Sequence, residues 1–341
     1  MSRIVLLLWI RLVSLPAYSQ ELRPVDTHTD ASFRGLSVVN DSVAWVSGTK
    51  GWIGRSIHGG QAWSFTQVKG FEKADFRTLY AFGYGTAIIA NAGSPASILY
   101  THDGGSSWDE TYINTDSSAF FDGIGFWNEQ DGIIYGDPVR GKMLMLRTHD
   151  GGRSWKEPKS SPALAEGEAS FAASGTTIRC LGERTVVIAT GGKVSRLWIS
   201  RDRGDHWDTI PTPILQGLKS TGIFSLACLD EKNLVITGGD YLRDTFAQDH
   251  VFYSIDGGRN WSRPSPATRG YRECVEYITP ATLIATGPRG TDISKDGGRS
   301  WQALSEEQSF HAVRKARKGS LVIMTGGKGK ISVLKTVNSN R

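Results

Sequence analysis

The chain has 341 residues, of which 40 are glycine and 11 are tryptophan, and its formal net charge is +5 at pH 7. A hydrophobic fraction of 39% with a charged fraction of 21% provides enough apolar surface for a packed core and excludes a disordered chain. Glycine without a three-residue period, beside only 12 prolines, excludes collagen, and so mild a positive charge does not indicate nucleic-acid binding.

The N-terminal segment has the pattern of a secretory signal peptide. Arg3 precedes an apolar run from Ile4 to Ile10, and Ala17-Tyr18-Ser19 is a small-residue cleavage site. We therefore expect residues 1–19 to be removed and residues 20–341 to form one exported domain, in the periplasm or secreted. The apolar run is shorter than the roughly 20 residues that a membrane-spanning helix needs, so no transmembrane segment is predicted.

Six segments share one pattern: Ser or Thr, any residue, Asp, any residue, Gly, two variable residues, Trp. They end at Trp63, Trp108, Trp155, Trp207, Trp261 and Trp301. Only the first lacks its Asp, which is replaced by His58. A period of 40 to 54 residues with several short strands per unit is typical of a β-propeller. The segment itself predicts a structural hairpin turn, because one carboxylate per turn is too few ligands for calcium.

Each unit also repeats upstream of this turn. An aromatic-led strand such as Phe33-Arg34-Gly35-Leu36 comes first, and a strand that ends in Gly, such as Ala44 to Gly48, follows. A seventh unit, from Phe310 to Val337, has three strands and no box, so a strand near Leu22 to Asp26 is expected to complete it. The prediction is an all-β, seven-bladed β-propeller with Asp-box hairpins, closed by an N-terminal strand.

The sequence predicts no cofactor and no metal site. Cys180, Cys228 and Cys274 show no CxxC spacing; a disulfide between the first two stays open, but buried thiols are favoured. The histidines show no metal-binding spacing, and no dinucleotide or serine-hydrolase motif is present. The phosphate-loop-like run 136–142 leads into a strand, so it is interpreted as a glycine-rich turn. The basic stretch 314–318 is interpreted as a solvated hairpin turn, with contact to an anionic surface as the alternative.

The boxes resemble those of BNR/Asp-box propellers, which include sialidases, sortilin-type receptors and xyloglucan-active glycosidases. The seven-unit length and the strand Gly48-Thr49-Lys50-Gly51-Trp52-Ile53 look most like the photosystem II stability/assembly factor group, which has exported bacterial relatives. This resemblance implies the fold and, for the assembly-factor group, partner binding through an arginine patch. It says little about the function of an individual chain.

Departures from the repeat fall on the face opposite the boxes, where loops ring the mouth of the channel. The predicted ligand-binding residues there are Arg34, Arg77, Asp122, Asp137, Glu168, Asp240, Tyr241, Tyr271, Arg272 and His311. Arg34, Arg77 and Arg272 each follow an aromatic residue, and three converging guanidiniums would bind a carboxylate or phosphate. The alternative is that each pairs with a nearby acid in a structural network. The resemblance places the group's arginine patch at the same three positions.

Two functions follow. The first is a non-enzymatic, assembly-factor-like propeller that binds a protein or other extracellular ligand, anionic or not, at the channel mouth. The alternative is a glycoside hydrolase, sialidase-like or of another Asp-box type, for which the candidate catalytic residues are Asp137, Glu168, Asp240, Tyr271 and Glu273. The sialidase Phe-Arg-Ile-Pro motif is here Phe33-Arg34-Gly35-Leu36, so the hydrolase is the less favoured alternative. The sequence does not indicate an oligomeric state.

Overall fold

Short antiparallel strands make up almost all of the regular structure in the computed structural model, which describes residues 18–338. In chain order they are β1 (Tyr18–Val25), β2 (Phe33–Val38), β3 (Ala44–Gly48), β4 (Trp52–Ser56), β5 (Ser64–Gln67), β6 (Phe76–Ala81), β7 (Ala87–Asn91), β8 (Ala96–Thr101), β9 (Asp109–Asn114), β10 (Phe121–Phe126), β11 (Gly132–Val139), β12 (Lys142–Thr148), β13 (Glu168–Ala169), β14 (Ile178–Leu181), β15 (Thr185–Ala189), β16 (Gly191–Gly192), β17 (Arg196–Ser200), β18 (Asp208–Pro211), β19 (Thr221–Cys228), β20 (Leu234–Asp240), β21 (Val251–Ser254), β22 (Cys274–Tyr277), β23 (Leu283–Gly287), β24 (Gly290–Ser294), β25 (Gln302–Ser305), β26 (Phe310–Lys315), β27 (Val322–Gly326) and β28 (Ile331–Asn338). One 3-10 turn, Thr49–Gly51, joins β3 to β4. Within this part of the chain, no helix is long and apolar enough to cross a membrane.

The strands form seven sheets, one for each blade, which confirms the predicted seven-bladed propeller. The blades are β2–β5, β6–β9, β10–β12, then β14, β15, β17 and β18, then β19–β21, β22–β25, and last β26–β28 with β1. The two-residue strands β13 and β16 extend the fifth blade on its inner side. The third and fifth blades have only isolated bridges in place of an outer strand.

The core lies between neighbouring blades. The second strand of each blade is covered on both faces, and its central residues are mostly apolar, as in Ile88-Ile89 of β7 and Val235-Ile236 of β20. One cluster, for example, joins Val46 of the first blade to Ile323 of the seventh. Cys180, Cys228 and Cys274 are free thiols, as favoured from the sequence over a disulfide; Cys274 is buried, and the other two are partly buried.

The N-terminal strand closes the ring, as predicted. β1 pairs antiparallel with β28 through the register Leu22↔Leu334 and becomes the outer strand of the seventh blade. Residues 1–17 of the predicted signal peptide lie outside the described residues, while Tyr18 and Ser19 already belong to β1.

The boxes are structural hairpin turns, as interpreted from the sequence. In the second box the Thr101 hydroxyl donates to Asp103 (2.8 Å) and accepts from the Gly105 N–H (3.0 Å). The same carboxylate accepts from the Ser107 hydroxyl at 2.6 Å and from the Ser107 N–H at 3.0 Å, and these two bonds, followed by the bond from Thr101, lower the pKa of Asp103. The turns between third and fourth strands define one side of the ring, called the box face below. The opposite side, where each first strand begins, is called the mouth face.

Candidate functional site: the channel and its mouth

The first strands of five blades carry a β-bulge near the mouth face. The register skips one residue in β2, β6, β10, β19 and β26, and the skipped residues are Arg34, Arg77, Asp122, Phe224 and His311. A bulged residue leaves the hydrogen-bonded ladder, which re-aims its side chain. Four of the predicted ligand-binding residues, Arg34, Arg77, Asp122 and His311, therefore occupy equivalent positions in the structure.

In the sixth blade the equivalent residue is Glu273, not Arg272. Cys274 pairs with Thr286 as Gly35 pairs with Ser47, so Glu273 occupies the place of Arg34. The glycines that end the second strands support the same equivalence. Gly48 lies against the Cα atom of Phe33, and Gly287 lies against the Cα atom of Arg272, so Arg272 occupies the position of Phe33. The prediction of Arg272 at the channel is therefore wrong by one residue. Tyr271-Arg272 resembles the aromatic-Arg pairs of the other blades in sequence but does not occupy their position.

Glu273 joins three blades at the channel. Its Oε2 atom accepts from Arg34 Nη1 at 2.9 Å and lies 2.7 Å from His311 Nδ1. Burial disfavours its charged form, but the charge of Arg34 and the hydrogen bond with His311 lower the pKa of Glu273 below its ordinary value. Arg34 and His311 are thus held by a shared carboxylate and do not face an empty pocket.

Arg272 lies inside its blade. It is 0% exposed, and its Nε atom donates to Asp292 Oδ2 at 2.8 Å while Nη2 contacts the same oxygen. Nη1 donates to the backbone oxygen of Tyr271 at 2.8 Å, and Asp292 is also held by Arg269 at 2.9 Å. Arg272 is therefore enclosed in an ion pair of the sixth blade.

Arg77 and Asp122 stand on the neighbouring blades. Arg77 Nε donates to Asp75 at 2.7 Å. Asp122 is buried, and neither of its carboxylate oxygens has a hydrogen-bond partner among the described residues. Burial, and next the charge of Asp137, raise the pKa of Asp122 well above its ordinary value, which favours its protonated form. The three arginines predicted to converge at the mouth thus each have their own acid, as in the structural-network alternative.

A loop closes the channel below the mouth. Residues 172–175 lead into β14, and three different blades hold them: Ala173 O accepts from Arg34 at 2.7 Å, Ser174 Oγ donates to the Glu273 backbone oxygen at 2.8 Å, and Gly175 O accepts from Arg314 at 2.6 Å. Gly175 adopts a positive φ of 62°, which glycine tolerates best. We call residues 172–175 the plug; it separates the mouth from the box-face half of the channel.

The remaining predicted acids, Glu168, Asp240 and Asp137, accept hydrogen bonds from residues in and beside the loops of the mouth face. Glu168 is buried and accepts from Arg196, Trp198, Thr190 and the Ala165 N–H. Asp240 is buried and accepts from Arg243 Nε at 2.7 Å. Asp137 accepts the Ser170 N–H at 3.0 Å, and burial raises the pKa of Asp137. No described group of three or more His, Cys, Asp or Glu residues is arranged to hold a metal ion.

A cluster of aromatic residues lies on the mouth face of the fifth blade. Phe171 and Phe224 stack at 3.7 Å between ring centroids, and the buried Tyr271 meets Phe224 edge-on at 4.7 Å. Tyr241 packs against the same two phenylalanines and remains 49% exposed.

Two exposed leucines adjoin Tyr241. Leu242 is 73% exposed and Leu218 is 54% exposed, and the Tyr241 N–H donates to Ser220, two residues after Leu218. We call Leu218, Tyr241 and Leu242 the rim patch. The two leucines were not predicted; the unusual length of the loop after Gly239 was the signal that pointed to this place.

Comparison with known families agrees with this geometry. Residues 89–210 match the family model of the photosynthesis system II assembly factor YCF48, and residues 252–263 match the BNR/Asp-box repeat. The chain is a seven-bladed β-propeller that is similar to this family over residues 89–210 and to the BNR/Asp-box repeat over residues 252–263. A search of curated proteins found no match to this propeller.

Solved structures share the fold of the propeller at low sequence identity. The structure of YCF48 bound to D1 peptide is 17% identical, with a TM-score of 0.65 over 94% of this chain and 97% of that one. YCF48 from Cyanidioschyzon merolae is 13% identical, with a TM-score of 0.65 over 92% of this chain and 98% of that one. The GH74 xyloglucanase from Xanthomonas campestris is 14% identical with a TM-score of 0.65, and the match covers 92% of this chain but 53% of the enzyme.

Proposed function

We propose that this propeller is a non-enzymatic, assembly-factor-like protein that binds a polypeptide at its mouth face. The similarity that supports this is the match of residues 89–210 to an assembly-factor family, together with the likeness along the whole chain to a propeller bound to a peptide. The glycoside hydrolase alternative has no comparable support, since the carboxylates of Glu168 and Asp240 are buried and taken up in structural hydrogen bonds.

The rim patch is the part of the mouth face best suited to anchor such a partner. Aromatic and aliphatic side chains that stay exposed on a rigid support lose little conformational freedom when they are buried by a partner. Tyr241 rests on the stacked Phe171–Phe224 pair, and Leu242 beside it is the most exposed large apolar residue in the described part of the chain. Arg34 and Arg77, by contrast, already contact Glu273 and Asp75, so their guanidiniums are less available to a partner.

The test is affinity capture from the native host with variants of matched exposure on the two faces. Leu242→Asp and Tyr241→Ala should reduce recovery of the captured polypeptide at least tenfold relative to the unaltered protein. Ile255→Asp is the control, because Ile255 is 58% exposed on the box face of the same blade. Equal recovery with all three variants, or loss only with Ile255→Asp, would overturn the proposed binding face.

Export is a second proposal and rests on the pattern of residues 1–19. Cleavage before Gln20 would retain the β1–β28 pairs from Gln20↔Thr336 to Val25↔Ile331, so the closing strand survives processing. N-terminal sequencing of the mature protein tests this: a sequence that starts at Gln20 supports export, and one that starts at Met1 contradicts it.

A further inference from the structure

A second cluster of arginines lies in the channel on the box-face side of the plug. Glu276 and Arg314 each stand three residues after a mouth residue, Glu273 and His311, which places them about 10 Å closer to the box face, and Arg179 pairs with Glu276 at the same depth. Together with Arg317 they line a cavity of about 170 Å³, whose other walls include Tyr80. The basic stretch that includes Arg314 and Arg317 is therefore not a solvated hairpin turn: β26 extends to Lys315, and both guanidiniums reach the channel.

Positive charge exceeds negative charge in this cavity. Glu276 Oε2 lies 2.7 Å from Arg179 Nη2 and 3.6 Å from Arg314 Nη1, so one carboxylate serves two guanidiniums. Arg317 lies over the Tyr80 ring at 4.4 Å and donates to Ser37. The three arginines and one glutamate leave a net charge of +2, and Lys315, which also lines the cavity, adds a further positive charge and donates from Nζ to the backbone oxygens of Ala316 and Gly319.

Several N–H groups of these arginines are unused. Arg314 donates from Nη2 to Gly175, and Arg179 donates from Nε to Leu226 and from Nη2 to Val275 and Glu276. Within residues 18–338, Arg314 Nε and Nη1 and Arg179 Nη1 make no hydrogen bond, although Arg314 Nη1 lies 3.6 Å from Glu276 Oε2. Burial and the charge of Arg179 lower the pKa of Arg314 to about 10, which still leaves it protonated at neutral pH. Like charges held this closely in a partly buried site favour an anion between them.

We propose that this cavity is a binding site for a small doubly charged oxyanion of the inorganic phosphate type. Guanidiniums match the geometry of such oxygens with paired N–H donors, and the excess of positive charge in the cavity favours an anion that carries two negative charges. The volume is several times what one water molecule needs, which suits a free ion with its water. The plug separates this site from the mouth, so the inference does not depend on the proposed polypeptide binding.

The test is isothermal titration of the full protein with inorganic phosphate at constant ionic strength. We expect saturable binding with one site per chain. Arg179→Gln and Arg314→Gln should each weaken it at least tenfold. Glu276→Gln should strengthen it severalfold, because it removes the only competing carboxylate among the described residues of the cavity. That gain is an effect that a merely structural role of the cluster would not produce.

The matched control is Arg201→Gln, since Arg201 is an exposed arginine in the box of the same blade as Arg179. Circular dichroism confirms that each variant is folded, and Glu276→Gln still decides the question if an arginine variant does not fold. The proposal is overturned if the unaltered protein binds no phosphate saturably. It is equally overturned if the folded arginine variants bind as the unaltered protein does, or if Glu276→Gln binds no more tightly.

Discussion

Substitution of Arg272 tests whether this arginine has a structural role or a ligand-binding role. It is fully buried, and its guanidinium shares Asp292 with Arg269. Arg272→Met keeps most of the side-chain volume but leaves the buried Asp292 carboxylate with one cation in place of two. Breaking a buried ion pair from one side costs about 3–5 kcal/mol, and because Arg269 remains, we expect a loss near 3 kcal/mol in the free energy of unfolding.

Urea unfolding followed by circular dichroism measures this loss. The double variant with Asp292→Asn should lose less than the sum of the two single variants, with a coupling energy of about 1–3 kcal/mol. Arg201→Met, at an exposed arginine, should stay within about 0.5 kcal/mol of the unaltered protein. The reasoning is refuted if Arg272→Met unfolds within 1 kcal/mol of the unaltered protein, on the scale of ordinary surface changes, and yet abolishes partner capture.

Three further changes probe the channel and the boxes. Asp122→Asn should raise the free energy of unfolding at neutral pH. Because the pKa of Asp122 is raised in the folded state, the free energy of unfolding of the unaltered protein falls as pH rises above about 4. The variant should lack this fall when urea unfolding is measured at several pH values. Gly175→Ala should cost about 1–2 kcal/mol in urea unfolding, because its φ of 62° is unfavourable for a residue with a Cβ atom. Asp202→Ala removes hydrogen bonds to two backbone N–H groups and should cost about 1 kcal/mol in the same assay without loss of the fold.

Each of these predictions has a control and a contrary outcome. For Asp122, an unchanged pH dependence in the Asn variant would show that the carboxyl is not protonated in the folded state. Gly83→Ala is the control for Gly175, since an added Cβ atom there meets nothing within 4 Å, and equal stability losses would refute the argument from φ. Asp208→Ala, at an exposed aspartate near the same box, should change little; a loss equal to that of Asp202→Ala would show that the box hydrogen bonds are not responsible.

The repeat made the fold predictable. Each box combines a hydroxyl, a carboxylate, a glycine and a tryptophan that are needed for one turn, so the six copies mark six blades. The first box tolerates His58, because the Ser56 hydroxyl still accepts the Gly60 N–H at 3.0 Å. The closing strand followed from the missing fourth strand of the last unit, and β1 fills that place in the structure.

The channel could be predicted only in part, because its side chains meet through contacts between distant residues. Arg34, Arg77, Asp122 and His311 follow from the repeat, but the bulge that sets their direction leaves no mark in the sequence. The offset at Glu273 arises for this reason.

The plug and the arginine cluster depend on long-range packing. The oxygens of the plug are held by Arg34 and Arg314 from blades far away in the chain, and nothing local to residues 172–175 indicates it. The stretch that contains Arg314 resembles a solvated turn by composition alone. Its inward direction is decided by Glu276 and Gly175, which lie in other blades.

The most direct test of polypeptide binding at the mouth face is photo-crosslinking from two positions of the same blade. A benzophenone amino acid replaces Leu242 on the mouth face in one sample and Ile255 on the box face in the other, and both proteins are irradiated in the native host. We expect a polypeptide adduct, identified by mass spectrometry, from position 242 and none from position 255. An adduct from position 255 alone, or no adduct from position 242, would contradict binding at the mouth face.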